Sequence, residues 1–391
     1  MLNTSLSPWP SFTQEEADAV SKVLLSNKVN YWTGTECREF EKEFAAFAGT
    51  QYAVALSNGT LALDVALKAM GIGAGDDVVV TSRTFLASAS CIVTAGANPV
   101  FADVDLNSQN ISAETIKAVL TPNTKAIIVV HLAGMPAEMD GIMDLAKEHD
   151  LWVIEDCAQA HGAKYKGKSV GSIGHVGAWS FCQDKIMTTG GEGGMVTTND
   201  KELWSKMWSY KDHGKSYDAV YHREHAPGFR WLHESFGTNW RMMEMQAVIG
   251  RIQLKRMPEW TARRQAHAAK LAESLGKFAS IRLIEVADHI EHAQYKFYAF
   301  VKPEHLKEGW TRDRIVAELN ARKVPCYQGS CSEVYLEKAF DNTPWRPKER
   351  LKNAVQLGDT SLMFLVHPTL TDDEIAFCKE HIEAVLAEAT A

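Results

Sequence analysis

Residues 51–70 read QYAVALSNGTLALDVALKAM, and this stretch contains the unit from which the fold is built. A short apolar run comes first, a Ser-Asn-Gly turn follows, and the remaining residues have the apolar spacing of a helix. Four further runs repeat the strand pattern, with helical segments between them: DDVVVTS (76–82), NPVFADV (98–104), KAIIVVH (125–131) and LWVIEDC (151–157). This alternation predicts an α/β fold, with a mostly parallel sheet covered by helices on both faces.

The C-terminal part of the chain has a different pattern. Residues 243–275 have a long helical spacing that contains Pro258, and a proline inside a helix ends or kinks it. Beyond it, one strand pattern, YKFYAFVK (295–302), is mixed with helical segments, as in a smaller α+β domain. We therefore expect a large domain over residues 1–255 and a small C-terminal domain over residues 256–391.

Composition restricts the partners and the compartment. The chain of 391 residues is 46% hydrophobic, and its 41 Lys and Arg against 49 Asp and Glu give a net charge of -8 without a basic stripe, so no nucleic-acid partner is expected. The start lacks a leader pattern and no apolar run approaches the roughly 20 residues that span a bilayer, which predicts a cytoplasmic protein with no membrane contact.

The seven cysteines form no CxxC pair, so we expect reduced, mainly buried thiols and no metal site.

Ligands of such sheets sit beyond the carboxyl ends of the strands, so the polar residues that follow each apolar run are the candidates. After the first run, Gly59 and Thr60 lie where a tight turn meets the start of a helix. Free backbone N–H groups and the helix dipole make such a turn an anion site. The alternative is an ordinary Ser/Asn/Thr N-cap with no ligand.

A second candidate is VIEDCAQAHGA (153–163), in which an apolar strand runs into Glu155 and Asp156. A buried carboxylate is costly unless it meets a cation, and a protonated ring nitrogen is one such cation. Gln159 would lie near the same opening. The alternative is that Asp156 merely caps the following turn.

A third candidate is SFCQDKIMTTGGEGG (180–194), which places Ser180 and Lys185 after a short strand candidate. A desolvated lysine beside other cations has a lowered pKa and becomes nucleophilic. The glycines follow the lysine, which reverses the order of a P-loop. The alternative for Lys185 is a solvated surface charge.

Weaker signals come from single residues near strand ends and loops. Phe85 follows a strand and offers a flat face, although an aromatic there is usually part of the core. His131 ends a strand, where a hydrogen-bonded core histidine is expected. Asn239 and Arg241 lie just before a helix and are candidate ligands. The alternative is that Asn239 is an N-cap and Arg241 a surface charge. The loop before them contains further candidates for contacts to a sugar or diphosphate: His222, Arg223, His225 and Arg230. The alternative is a solvated loop without a ligand.

Taken in order, these segments resemble the DegT/StrS family of sugar aminotransferases, which have the aspartate aminotransferase-like fold (fold type I) and bind pyridoxal 5'-phosphate (PLP). The resemblance covers most of the chain and is carried by SNGTLAL, AGANPVFADVD, HLAGMPAEMD, IEDCAQAHGA, SFCQDKIMTTGGEGG and GTNWRM. The large domain would then hold the cofactor.

The resemblance implies roles for individual residues. Lys185 would form the internal aldimine and then move the proton, and Asp156 would pair with the pyridinium nitrogen. Gln159 would lie by the phenolic oxygen and Phe85 would stack on the ring. The phosphate would be held by a set drawn from both subunits of a homodimer with shared active sites: Gly59, Thr60 and Ser180, with Asn239 of the other subunit.

The resemblance also implies the reaction. L-glutamate would leave its nitrogen on the cofactor, and a nucleotide-linked keto-sugar would take it up, in amino-sugar synthesis for surface glycans such as the O-antigen of lipopolysaccharide. We expect amination at C4 or C3 of a UDP- or dTDP-linked 4-keto or 3-keto 6-deoxyhexose, and we favour a UDP-linked 4-keto-6-deoxy N-acetylhexosamine. Relatives that dehydrate sugars have histidine in place of Lys185, so transamination is favoured. A PLP-dependent dehydratase and a non-catalytic regulatory protein of the same fold remain alternatives.

Two positions depart from the family's usual pattern. An additional glycine, in Gly190-Gly191, precedes Glu192, and Cys182 stands where histidine or an aromatic is frequent. Because of these two departures, the family pattern does not predict the backbone path of the glycine-rich loop.

Overall fold

The computed structural model describes residues 6–225 and 231–391. Helices cover both sides of the central sheet and connect it to the C-terminal part. The α-helices of the described ranges are α1 (Gln14–Leu25), α2 (Glu36–Ala48), α3 (Gly59–Ala69), α4 (Ala87–Thr94), α5 (Ala113–Lys117), α6 (Met139–Glu148), α7 (Lys201–Lys211), α8 (Tyr217–Tyr221), α9 (Glu244–Leu275), α10 (Arg312–Ala321), α11 (Lys352–Thr360) and α12 (Asp372–Ala389).

The strands are short and fall into three sheets. Their bounds are β1 (Tyr52–Leu56), β2 (Asp77–Thr81), β3 (Asn98–Ala102), β4 (Thr124–Val130), β5 (Trp152–Asp156), β6 (Lys164–Tyr165), β7 (Lys168–Ser169), β8 (Val176–Ser180), β9 (Gly194–Thr198), β10 (Ile281–Leu283), β11 (Ile290–Glu291), β12 (Phe297–Val301), β13 (Cys326–Tyr327) and β14 (Ser361–Phe364). All five predicted strands between residues 51 and 157 are present as β1 to β5.

The central sheet has seven strands in the order β1-β9-β8-β5-β4-β2-β3. The strands β8, β5, β4, β2 and β3 pair in parallel, and β9 runs antiparallel between β1 and β8. The predicted α/β class with a mostly parallel sheet is therefore confirmed. Because β1, β2, β4, β5 and β8 point the same way, their carboxyl ends meet at one edge of the sheet.

The strand sequences explain why the central sheet is buried on both faces. Val78, Val79 and Val80 in β2 are fully buried, as are Ile127 and Ile128 in β4. A strand that is apolar on both faces needs a cover on both, and helices supply it on each side. The two faces accordingly belong to two separate hydrophobic clusters.

The C-terminal part contains a four-stranded antiparallel sheet, β10-β12-β14-β13, with α10 and α12 packed near it. The long helix α9 joins this sheet to the rest of the chain. It continues through Pro258, so the proline does not end the helix. Neighbouring helices hold it on both sides of the proline. Arg251 pairs with α2, Arg256 with α1, and Lys270 with α12. The domain boundary predicted at residue 255 lies inside this helix and stays a prediction.

All seven cysteines are free thiols, five of them buried, as the sequence predicted. Throughout the described ranges, no helix has both the length and the apolar character needed to cross a membrane.

Candidate active site

A cavity of about 980 Å³ opens at the carboxyl edge of the central sheet. Its walls come from the loops after β1, β2, β5 and β8 and from the start of β12 and the loop after β13. The structure brings seven of the predicted site residues together in this one cavity: Gly59, Thr60, Phe85, Asp156, Gln159, Ser180 and Lys185.

The turn before α3 forms one end of the cavity. The Asn58 side chain accepts the N–H of Leu61 at 3.0 Å and so caps the helix. The amides of Gly59 and Thr60 have no intrahelical acceptor in this first turn. A Cβ atom on Gly59 would lie 2.4 Å from the Cβ of Ser180, so only glycine allows the turn to approach β8 this closely. The result is a cradle of amides and a hydroxyl suited to a phosphate.

Lys185 lies in the loop after β8 with its side chain 17% exposed, so it is not the solvated surface charge of the alternative interpretation. Its Nζ is 4.0 Å from the Oδ1 of Asp184 and 5.3 Å from the ring centroid of Tyr295. The indole N–H of Trp9 donates to the Lys185 carbonyl oxygen at 2.8 Å. The N-terminal segment thus fixes the main chain of the lysine while its amine points into the cavity.

Asp156 ends β5 and is almost fully buried. Its carboxylate accepts the hydroxyl of Ser88 at 2.8 Å and the N–H of Ala158 at 3.1 Å. Burial raises the pKa of Asp156 above its ordinary value, although these hydrogen bonds and the charge of Lys185 oppose the rise. An acid in this position gains from a cation placed against it.

Gln159 is held in one orientation. Its Oε1 accepts the backbone N–H of Ala133 at 2.8 Å, which leaves the amide NH₂ as the donor end. The side chain is nearly buried and lines the cavity. It therefore offers a fixed donor to an oxygen of a bound ligand.

Phe85 is 71% exposed even though it lines the cavity. A ring so exposed is not packed in the core, which was the alternative. Its free surface is available for contact with a flat ligand. This observation supports the predicted stacking role, which itself stays a prediction.

The glycine-rich loop makes a tight turn below the cavity. Gly190 and Gly191 both have left-handed backbone angles, with φ of 84° and 120°. The hydroxyl of Thr188 accepts the N–H of Gly191 at 3.1 Å and donates to the carbonyl of Phe181 at 2.9 Å. The additional glycine thus permits two consecutive left-handed residues, a conformation that L side chains rarely adopt. Cys182 lines the cavity beside this loop.

The lining of the cavity also includes residues that were not predicted from the sequence, among them Ser88, Asp184, Tyr295 and Lys296. The Tyr295 hydroxyl donates to Asp184, which adjoins Lys185. Asp184 follows a strand end and so carried a usable signal. Tyr295 and Lys296 lie far along the chain at the start of β12, where nothing in the local pattern indicates a site.

Other predicted residues lie elsewhere. Asn239 is exposed, pairs through the main chain with Asp212, and does not line the cavity of its own chain. Arg241 forms an ion pair with Asp212 at 2.8 Å. His222, Arg223 and His225 make contacts within their own loop region, and Arg230 lies outside the described residues. His131 is the hydrogen-bonded core histidine that was expected, with Glu155 and the N–H of Ala137 as partners.

Comparison with known proteins shows the family of the chain. A sequence profile of the DegT/DnrJ/EryC1/StrS aminotransferase family matches residues 10–383. A solved aminotransferase from Psychrobacter cryohalolentis is 65% identical, with a TM-score of 0.97 over 98% of this chain and 99% of that one. DesV of S. venezuelae, solved with a ketimine intermediate, is 31% identical, with a TM-score of 0.85 over 95% and 94% of the two chains. A UDP-N-acetyl-3-dehydro-alpha-D-glucosamine 3-aminotransferase from Acidithiobacillus ferrooxidans is 41% identical over 91% of this chain and 90% of its own.

The chain belongs to the DegT/DnrJ/EryC1/StrS aminotransferase family, as the sequence motifs indicated. The solved aminotransferase and DesV share its α/β fold with a mostly parallel sheet.

Proposed function

We propose that this protein is a PLP-dependent aminotransferase that moves an amino group from L-glutamate to a nucleotide-linked keto-sugar in the cytoplasm, for surface glycans. The observation that carries the proposal is that Lys185, Asp156 and Gln159 line the same cavity as the amide cradle at Gly59. A lysine, a carboxylate and an anion cradle are the groups that a phosphorylated pyridine aldehyde requires.

The residues present fit PLP. The cradle of Gly59, Thr60 and Ser180 offers donors for the phosphate, and a Cβ at Gly59 would fill it. Asp156, whose pKa is raised by burial, gains a cationic partner in a protonated ring nitrogen. The NH₂ of Gln159, left free by the bond from Ala133 to its Oε1, would donate to the phenolic oxygen.

When bound, PLP supplies an electron sink for the carbon from which a proton is removed. The protein's own groups supply the rest. Lys185 would accept and return that proton at Nζ, and the hydrogen bond from Trp9 to its carbonyl oxygen keeps its main chain in place. Asp156 would keep the ring nitrogen protonated, and the hydrogen bond from Ser88 holds the orientation of Asp156.

The substrate class rests on the relatives. The similar 3-aminotransferase carries a UDP-linked N-acetyl keto-sugar in its name, which supports a UDP-linked N-acetylhexosamine and favours a 3-keto sugar. The 4-keto-6-deoxy sugar favoured from the sequence is the competing substrate. A cavity of about 980 Å³ is at the upper end of the range for small-molecule sites, so it has room for a ligand beside the cofactor.

The proposal includes a homodimer in which Asn239 of one subunit reaches the phosphate of the other. Its exposure and its position outside its own cavity support this arrangement. Mixing inactive Lys185→Ala and Asn239→Ala proteins would form hybrids with one intact site. Recovery of activity on mixing is expected, and no recovery would contradict a shared site.

The test of the function is to incubate the protein with PLP, L-glutamate and a panel of nucleotide-linked 3-keto and 4-keto sugars, and to follow products by mass. Glutamate should convert the visible absorption band to that of the pyridoxamine form, and one sugar should gain an amino group. Lys185→Ala should abolish both. Loss of water from the sugar without amination would instead indicate a dehydratase, and PLP binding with no response to glutamate would favour a regulatory protein.

A further inference from the structure

A second lysine lines the cavity. Lys296 lies directly before β12, and its Nζ is 4.6 Å from the ring centroid of Tyr295. The Nζ of Lys185 is 5.3 Å from the centroid of the same ring. The two ammonium groups are therefore neighbours in one wall of the site. Lys185 and Lys296 are 111 residues apart in the chain, and the hydrogen bond from Tyr295 to Asp184 joins the two segments that carry them.

The charges around Lys296 do not balance. Asp184 is bound by Tyr295 and lies beside Lys185. Across the described ranges, no carboxylate oxygen is paired with the Nζ of Lys296 within 4.0 Å. Arg264, which is buried close by, adds a further positive charge. Burial lowers the pKa of Lys296 to about 8; the charge of Asp184 opposes this change, and Arg264 and Lys185 add to it, so the ammonium form still predominates at neutral pH. Close to Lys296, therefore, the cations Lys185 and Arg264 add to its own charge, and Asp184 is the carboxylate that acts against them.

We propose that Lys296 binds the α-carboxylate of the amino donor. This inference rests on the proposed function and identifies the group that would recognise one of its two substrates. In an amino acid the carboxylate is attached to the carbon that reacts. In a nucleotide-linked sugar the diphosphate is separated from the keto carbon by the sugar ring. An anion site beside Lys185 therefore suits the amino acid.

The position of Lys296 agrees with this role. It comes from the small C-terminal sheet, whereas the amide cradle at Gly59 comes from the central sheet. The two anions that must be held at once, a cofactor phosphate and a substrate carboxylate, thus have separate sets of donors. The Asp184 carboxylate offsets part of the charge of Lys296, but Lys185 and Arg264 also lie close to Lys296, so the group as a whole stays positive.

The experiment separates the two half-reactions. The variants are Lys296→Gln, which removes the charge, and Lys296→Arg, which keeps it. Lys302→Gln, beyond the other end of β12, is the matched control. The reaction with L-glutamate is followed by absorbance, the reaction of the pyridoxamine form with keto-sugar by mass, and binding of 2-oxoglutarate to the pyridoxamine form by calorimetry.

We expect Lys296→Gln to weaken glutamate and 2-oxoglutarate binding by about 10- to 100-fold, the range for a lost charged hydrogen bond. The keto-sugar half-reaction should be unchanged, Lys296→Arg should recover most of the binding, and Lys302→Gln should match the wild type. Thermal unfolding verifies that each variant is folded, and Lys296→Met replaces the Gln variant if that one fails to fold.

Two results would overturn the assignment. Wild-type affinity of the Gln variant for 2-oxoglutarate would show that Lys296 does not bind the carboxylate. A defect confined to the keto-sugar half-reaction would assign Lys296 to the diphosphate instead. If the wild-type protein itself fails to react with glutamate, the proposed function fails. Calorimetry with 2-oxoglutarate, on protein incubated with pyridoxamine 5'-phosphate, then decides the role of Lys296 by itself.

Discussion

Glu155 and Asp156 are consecutive carboxylates on β5, both buried, and the structure treats them in opposite ways. Successive residues of a strand point to opposite faces of the sheet, so only one of them faces the cavity, and that one is Asp156. The Glu155 carboxylate accepts four hydrogen bonds within 3.0 Å, from the Nε2 of His131 and the backbone N–H groups of Gly171, Ile173 and Gly174.

The difference separates a structural carboxylate from a functional one. Burial works against the charge of Glu155, yet the bond from His131 and the backbone amides hold its pKa below the ordinary value. Asp156 accepts two hydrogen bonds, and burial leaves its pKa raised. A buried carboxylate whose charge is stabilised in full stabilises the fold. One whose charge is stabilised only in part is suited to a ligand that brings a cation.

The strongest test of this comparison is Asp156→Asn. The amide keeps the shape but cannot hold a ring nitrogen in its protonated form, so we expect kcat to fall by about 10²- to 10³-fold. Steady-state kinetics with saturating cofactor measures the loss. The unliganded variant should unfold at the same or a higher temperature than the wild type, and a marked loss of stability would contradict the functional role.

Glu155→Gln should have the reverse effect. The amide NH₂ would face backbone N–H donors, so we expect the free energy of unfolding to fall by about 3 kcal/mol. Urea denaturation provides the measurement. The kcat of the folded protein should remain near that of the wild type, and a catalytic defect as large as that of Asp156→Asn would remove the distinction between the two carboxylates.

The two variants should also differ in their pH dependence. The lowered pKa of Glu155 means that its contribution to stability is present above its ordinary value of 4.5 and is lost as the pH falls through the folded pKa. The raised pKa of Asp156 means that its ionised form is destabilising above the folded pKa and that this cost disappears as the pH falls.

At pH 7, therefore, wild type should be more stable than Glu155→Gln and no more stable than Asp156→Asn. Both differences should shrink as the pH is lowered. Urea denaturation of the unliganded proteins at several pH values measures them, and differences of the same sign at pH 7 would contradict the assigned pKa directions.

The smallest expected effect is that of Ser88→Ala, which removes one of the two hydrogen bonds to Asp156. Loss of a single bond of this kind should lower kcat by about 2- to 10-fold. Ser90→Ala on the same helix is the matched control and should leave kcat unchanged. Equal kinetics for the two variants would show that Ser88 does not orient the carboxylate.

Much of this site was predictable because its members follow strands. Asp156, Ser180 and Lys185 each come at or shortly after the end of an apolar run, and parallel strands bring such ends together. The continuation of α9 through Pro258 was not predictable. The cost of a proline is local, whereas ion pairs with α1, α2 and α12 support the helix from elsewhere in the chain.

The sequence by itself determined the α/β class, the family and the lysine at the end of a strand, because these depend on periodicity and on motifs read over short distances. The tertiary structure decided which of the two β5 carboxylates is satisfied and which faces the cavity. It also placed Tyr295 and Lys296 beside Lys185. Hydrogen-bond partners and the approach of one sheet to another depend on packing between distant segments, and no local pattern in the chain records that packing.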